Sequence, residues 1–173
     1  QRPVVDWTVI DGEKAARAFS ARLAAAPIGT GPWTSISSAI DFAVPLFGIA
    51  AEGARRVIDV SGDGPNNHGR PVEAARDAAL ARGIVINGLP LMTREGMGSQ
   101  WFLPDLDRYY RDCVIGGPAA FIVVAENFDA FASAIRRKLI LEIAGTMPRV
   151  IPAQASRPIA TTDCLIGEKM WEH

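Results

Sequence analysis

The chain has 173 residues, 49% of them hydrophobic and 21% charged, and its 18 Lys and Arg against 19 Asp and Glu leave a net charge of −1. That length fits one domain able to bury most of its unfolded surface without staples. The even charge argues against a nucleic-acid arm or a polybasic membrane patch, and no apolar run is long enough to cross a bilayer. The first residue is Gln1, with neither an initiator Met nor a signal-like apolar segment, so the expectation is a natural N-terminus that has been processed or lost.

"VVDWTVI", Val4 to Ile10, carries β-branched residues and a Trp in imperfect alternation before the Asp11-Gly12 turn, which predicts a short edge strand. From Glu13 the residues Ala16, Phe19 and Leu23 recur at helical spacing in an amphipathic segment that stops before Pro27. "PIGTGPW" follows as a glycine- and proline-rich loop. Thr34 opens a second helix, with Ile36, Ile40, Ala43 and Phe47 on one side and Pro45 placed to kink or shorten it. Thr34 in that position is by default a helix N-cap.

"RRVIDV" is apolar on both faces, the pattern of a central parallel strand, and Pro71 suits the first turn of a helix carrying Val72, Ala75 and Ala79. "GIVINGLPL" is the next strand. After a glycine-bearing loop from Thr93 to Ser99 and a short segment around "DLDRYYRDC", "AAFIVVA" reads as another buried strand. Asn127 caps a last helix whose Phe128, Phe131, Ile135 and Leu139 share a face, while Arg136, Arg137 and Lys138 form a basic run expected at the solvated surface. Beyond Gly145 the sequence is proline-rich and aperiodic, a tail or a clamp over the domain. The organisation expected is a domain over residues 1–144 and a tail over 145–173. Strands and helices alternating at this spacing mean an α/β fold with a mostly parallel sheet.

Cys113 and Cys164 lie 51 positions apart with no CxxC and no clustered His, which argues against zinc. They are either a disulfide that ties the tail back or two buried thiols, and an extracytoplasmic location would favour the disulfide.

The stretch "RRVIDVSGDGPNNHG" runs a strand into an acidic, glycine-rich turn. In an open α/β sheet such loops, at the carboxyl ends of strands, form the ligand site. Asp63 is a hard oxygen ligand suited to Mg²⁺, Mn²⁺ or Ca²⁺, and the Thr34 hydroxyl from a neighbouring loop would add to the shell. Ser35, Asp59, Ser61 and Asn66 are supporting candidates. Plain turn chemistry is the competing reading of Asp-Gly-Pro-Asn-Asn, and His68 reads as a solvated loop residue.

"RRVIDVSGDGPNN" resembles the fourth-strand loop of von Willebrand factor A-like domains, and "WTSISSAIDFA" resembles their threonine loop. "GIVINGLPL", "YYRDCVIGGPAAFIVVA" and "FASAIRRKLILEIA" extend the resemblance, over Val4 to Ala144, to an uncharacterised bacterial extracytoplasmic family built on that domain. The resemblance implies a doubly wound, Rossmann-like sheet and a metal-ion-dependent adhesion site with Thr34 and Asp63 as ligands. It also implies a first strand ending in Asp-x-Ser-x-Ser, and no such motif precedes Thr34. The expectation is therefore a domain without its first two strands and first helix, completed by a missing N-terminal segment or by a partner chain. The leading function is a metal-dependent module that binds an acidic group of a protein ligand. A metal-free interaction domain with an incomplete site is the alternative. A Mg²⁺-dependent phosphohydrolase is a weaker one, since Asp59 and Asp63 are four positions apart where its signature sets two aspartates two apart.

Overall fold

The computed structural model describes residues 1–29, 31–48, 55–93, 102–144 and 162–171. Its frame is a small parallel sheet among helices: β1 (Arg56–Gly62) pairs with β2 (Ile84–Pro90) from Arg56 opposite Ile84 to Gly62 opposite Pro90. The crossover helix α3 (Val72–Leu80) starts after Pro71, whose φ of −50° suits a helix entry, and buries Val72, Ala75 and Ala79 as the periodicity predicts. On the far side of β2 a third segment runs parallel, with the Gly88 N–H donating to Phe121 O at 3.0 Å and the Val123 N–H to Gly88 O at 3.0 Å. "RRVIDV", "IVINGL" and "AFIVVA" thus lie side by side in the expected order. The third is a series of bridges, because Gly116 first takes part of the β2 edge in an antiparallel bridge.

Side chains alternate across β2, so its two faces meet different layers. Ile84 and Ile86 join one core with Ile36, Ile40, Val72, Leu106, Tyr109 and Tyr110, whereas Leu89 and Leu91 join Val123, Ala125 and Ala134 in another. The first core is roofed by α2 (Ile36–Ala43), α3, and α4 (Leu106–Tyr109) with the π-helical turn Tyr110–Val114 that continues it. The second lies under α5 (Phe128–Ala144).

Several expectations are corrected. Val4–Ile10 forms no strand: no described strand runs beside it, Thr8 Oγ1 turns back to donate to Asp6 O at 2.9 Å, and the Trp7 ring lies 5.6 Å from Phe47. Helix α1 (Glu13–Ala24) forms where expected but buries no residue. The N-cap of α2 is Ser35 rather than Thr34, its Oγ accepting from the Ser38 N–H at 3.3 Å, and α2 gives way to a 3₁₀ turn, Val44–Gly48, at Pro45. β1, read as central, is an edge among the described residues, with Arg56, Asp59 and Ser61 exposed. The stretch 145–173 is not wholly aperiodic: residues 145–161 lie outside the described ones, but Ile166–Trp171 form helix α6. Most of the Thr93–Ser99 loop also lies outside them.

The largest correction concerns α5. Asn127 does cap it, accepting from the Ala130 N–H at 2.9 Å. But Phe128 and Leu139 are 52% and 47% exposed, and Lys138, expected in solvent, is 4% exposed. The cause lies in the sheet. Asp59 and Asn87 stand opposite each other in the β1–β2 register, so they place a carboxylate and an amide on the face that α5 covers. The helix turns Lys138 onto them. Its Nζ pairs with Asp59 and donates to Glu142 Oε1 at 2.8 Å, and Asn87 Nδ2 donates to that same oxygen at 2.7 Å. Burial pushes the Asp59 carboxyl above its ordinary value. Burial also acts upward on Glu142, but hydrogen bonds from Lys138, Asp59 and Asn87 together hold it below its ordinary value.

Removing the lysine alone strands two carboxylates. Loss of one partner of a fully buried pair costs about 3–5 kcal/mol; the Asp59 side chain is 40% exposed, so Lys138→Met should cost nearer ~2 kcal/mol at pH 7. Glu142, held low, gives stability that is present above the ordinary carboxylate value and lost as pH falls from there toward its folded value, while Asp59, held high, works in the opposite sense. On the Glu142 contribution the deficit of Lys138→Met should hold from pH 7 down to about 4.5, its ordinary value, and shrink below it, read as the gap between urea midpoints of the variant and the wild type.

Candidate functional site

The candidate site lies at the carboxyl end of β1, where the chain leaves Gly62 and turns from Asp63 to Gly69. Two asparagines in this turn hold it to the loop before α2. The Thr34 N–H donates to Asn67 Oδ1 at 2.8 Å, and the Asn67 N–H donates to Thr34 O at 2.8 Å. Beside this reciprocal pair the Ser37 N–H, an otherwise orphaned donor of the first helical turn, donates to Asn66 Oδ1 at 3.0 Å. Ser35 Oγ and Ser37 Oγ donate to His68 O at 2.7 and 3.4 Å. The turn closes at Gly69, whose φ of +92° and whose crowding by the Ser35, Ser37 and Ser38 hydroxyls both call for glycine.

Thr34 and Asp63 are thus on neighbouring loops at one end of the sheet, both half-buried. Ser35 is occupied as a cap and Asn66 as a buried latch. Ser61 is exposed near the end of the strand. Asp59 sits four residues back, held by Lys138 under α5, and stands outside this group. The donors available are hard oxygens, one carboxylate with hydroxyls, which suits Mg²⁺ or Mn²⁺ in kind. They are few: among the described residues no three His, Cys, Asp or Glu side chains gather into a metal-holding group. A cation here would keep much of its water.

Other residues of the site carry no signal in the sequence. The Asn66 N–H donates to Tyr109 Oη at 3.2 Å, and Asn66 Nδ2 donates to Glu168 Oε1 of α6 at 2.8 Å. Gly167 rests on the Asn66 carbonyl so closely that a Cβ would run into its oxygen. Trp33 stacks on His68 with ring centroids 5.7 Å apart and meets Trp171 of α6 at 4.8 Å. Helix α6 is tied into place by the Cys113–Cys164 disulfide, whose Cα atoms are 5.5 Å apart. Burial raises the phenols of both Tyr109 and Tyr110 well above the ordinary tyrosine value. The paired asparagines were visible as a motif; α6 was hidden by the proline-rich stretch before it.

Residues 1–147 match the family described as Protein of unknown function (DUF1194). The chain belongs to the DUF1194 family. The match takes in the Thr34 loop, the acidic turn, all three parallel segments and α5, and stops short of Cys164 and α6. No curated protein and no solved structure matches the chain. No described helix of this DUF1194 member is long and apolar enough to cross a membrane.

Helix α6 is held at the turn by the disulfide, the close Gly167 contact, the Asn66–Glu168 hydrogen bond and the Trp33–Trp171 pair, and the first two can each be altered to lift it. Gly167→Ala should detach α6 without touching the sulfurs, giving faster hydrogen exchange at the Asn66 amide and a red-shifted Trp171 emission. Cys164→Ser should do the same and also cost up to about 4 kcal/mol, the chain-entropy figure for a loop of roughly 50 residues. Exchange at Asn66 that is unchanged in both variants would show that α6 does not cover the turn.

Proposed function

We propose that this chain is a von Willebrand factor A-like binding module whose acidic turn holds a divalent cation, Mg²⁺ or Mn²⁺, for engaging an acidic group of a protein ligand. The observation that carries this reading is the reciprocal Thr34–Asn67 hydrogen-bond pair, which keeps the threonine loop beside the Asp63 turn. Asp63 supplies a carboxylate and Thr34 a hydroxyl, and the cation's remaining positions take water or the ligand's carboxylate. The metal's role is bridging. The sheet supports the same reading: three parallel segments run in the expected order, and the outer edge of β1 pairs with no described strand. That edge is where the reading puts a strand carrying Asp-x-Ser-x-Ser, supplied by another segment or by a partner chain. An unpaired parallel strand edge is costly to leave open, which gives such a strand a reason to dock. The module is read as extracytoplasmic, in keeping with its disulfide.

A metal-free interaction domain is the second reading, favoured by the small number of ligating side chains among the described residues. The phosphohydrolase reading loses ground because Asp59 is engaged by Lys138 and stands apart from Asp63.

Calorimetric titration with Mn²⁺ and Mg²⁺ separates these. Two protein ligands should hold the cation only weakly, with a Kd of about 1 mM or above, the range of the loosest cation sites. Asp63→Ala should abolish that binding and leave the unfolding midpoint nearly unchanged. Binding that survives Asp63→Ala, or none at any concentration even with a strand bearing the motif supplied, would sink the metal reading.

A further inference from the structure

Helix α5 carries two rows of side chains where a helix that only covers a sheet needs one. The first row faces inward: Phe131, Ala134 and Leu141 pack on the second core, and Lys138 and Glu142 extend it over Asp59 and Asn87. The second faces out. Phe128, Ala132, Ile135, Leu139 and Ile143 recur at spacings of three and four, so they line one side of the helix, and all five are exposed, Ile143 to 85%. A row of this kind is the seam by which two helices interlock.

The charges beside the row say what covers it. Asp129 and Arg136 stand seven positions apart, which puts both along the same edge of the row. About 10.5 Å of helix rise separates them, too far for them to meet within one chain. Neither has an ion-pair partner among the described residues. A second copy laid antiparallel, with a two-fold axis passing beside Ser133 and Ala134, supplies both partners at once. Phe128 of each copy then meets Leu139 of the other, the small Ala132 meets Ile135, and Asp129 of each copy comes beside Arg136 of the other. A parallel pairing would instead set like charges together.

We propose that the outer face of α5 pairs with the same face of a second copy of this chain, antiparallel about a two-fold axis, through the apolar row and two symmetric Asp129–Arg136 ion pairs. Exposed ion pairs add little energy, so they select the partner and the register while the apolar row supplies the affinity. The contact is small. Five side chains on a helix of 17 residues, about 25 Å long, fall well short of the ~20–30 residues a side of a standard interface, so the dimer is weak and forms as concentration rises. It uses no residue of the acidic turn and is independent of the cation reading.

Sedimentation equilibrium of the whole chain, without metal and at rising concentration, tests the pairing. The wild type should pass from monomer to dimer. Leu139→Glu, at an exposed position, should leave the urea midpoint unchanged and keep the chain monomeric. The charges allow a more specific test. Arg136→Glu makes both edge positions acidic and Asp129→Arg makes both basic, so each variant alone should associate several-fold more weakly than the wild type. Mixed in equal amounts, the two should dimerise with each other at about wild-type strength, because every contact between positions 129 and 136 across the axis again joins opposite charges. A wild type that stays monomeric at every concentration, a dimer that survives Leu139→Glu, or a mixture that associates no better than its separate components would overturn the proposal.

Discussion

A buried asparagine, Asn66, is the point on which the candidate site depends. Its side chain accepts from the first turn of α2 and donates to Glu168 on α6, while its backbone N–H donates to Tyr109. A polar side chain with no solvent exposure is tolerated only when its groups are satisfied, so these three elements must arrive together or not at all. This couples distant parts of the chain. The turn after β1, the start of α2 and the C-terminal helix lie far apart in sequence, Asn66 and Glu168 alone by 102 positions, yet share one amide. The Thr34–Asn67 pair beside it fixes the remaining freedom between the two loops, and Gly69 lets the turn close under three serines.

A second polar device works on the opposite face of the sheet. Asp59, Asn87, Lys138 and Glu142 form a network in which Asn87 also accepts from the Phe121 N–H at 3.1 Å, so that one residue of β2 holds both α5 and the third parallel segment. An all-apolar layer there could slide; a network with specific partners sets one register for the helix. The same network removes Asp59 from the chemistry at the strand end. The two carboxylates of "DVSGD" are therefore set apart: Asp59 belongs to this network, and Asp63, four residues on, does not.

The parallel strands and α3 were legible because their signals are local: an apolar run, a proline at a helix start, a periodicity of small residues. The acidic turn was legible as a turn, and its asparagines as residues that bond their surroundings. What misled was α5, where Phe128, Ile135 and Leu139 repeat at helical spacing and promise a core face. Periodicity identifies a stripe but not what it meets, and here a carboxylate on β1 outweighed the apolar stripe by drawing in Lys138. Val4–Ile10 misled too: its β-branched residues pair with no described strand, and Trp7 packs on Phe47 instead. Tyr110 and α6 had no local signal at all; both take their meaning from a neighbour far away in sequence.

Magnitudes decide what holds the site in shape. A cation that binds the folded chain adds RT ln(1 + [L]/Kd), which at a concentration equal to its Kd is only about 0.4 kcal/mol. The Cys113–Cys164 bond constrains a loop whose closure is worth up to about 4 kcal/mol, and each satisfied hydrogen bond around Asn66 adds on the order of 1 kcal/mol. A weakly bound metal therefore cannot assemble this end of the sheet; the scaffold must do so first. The latches at Asn66 and Asn67, the disulfide and the Lys138 network act on the backbone that carries Thr34 and Asp63. They hold the threonine loop against the Asp63 turn, with Thr34 and Asp63 both half-buried, so the arrangement of these loops needs no ligand to set it.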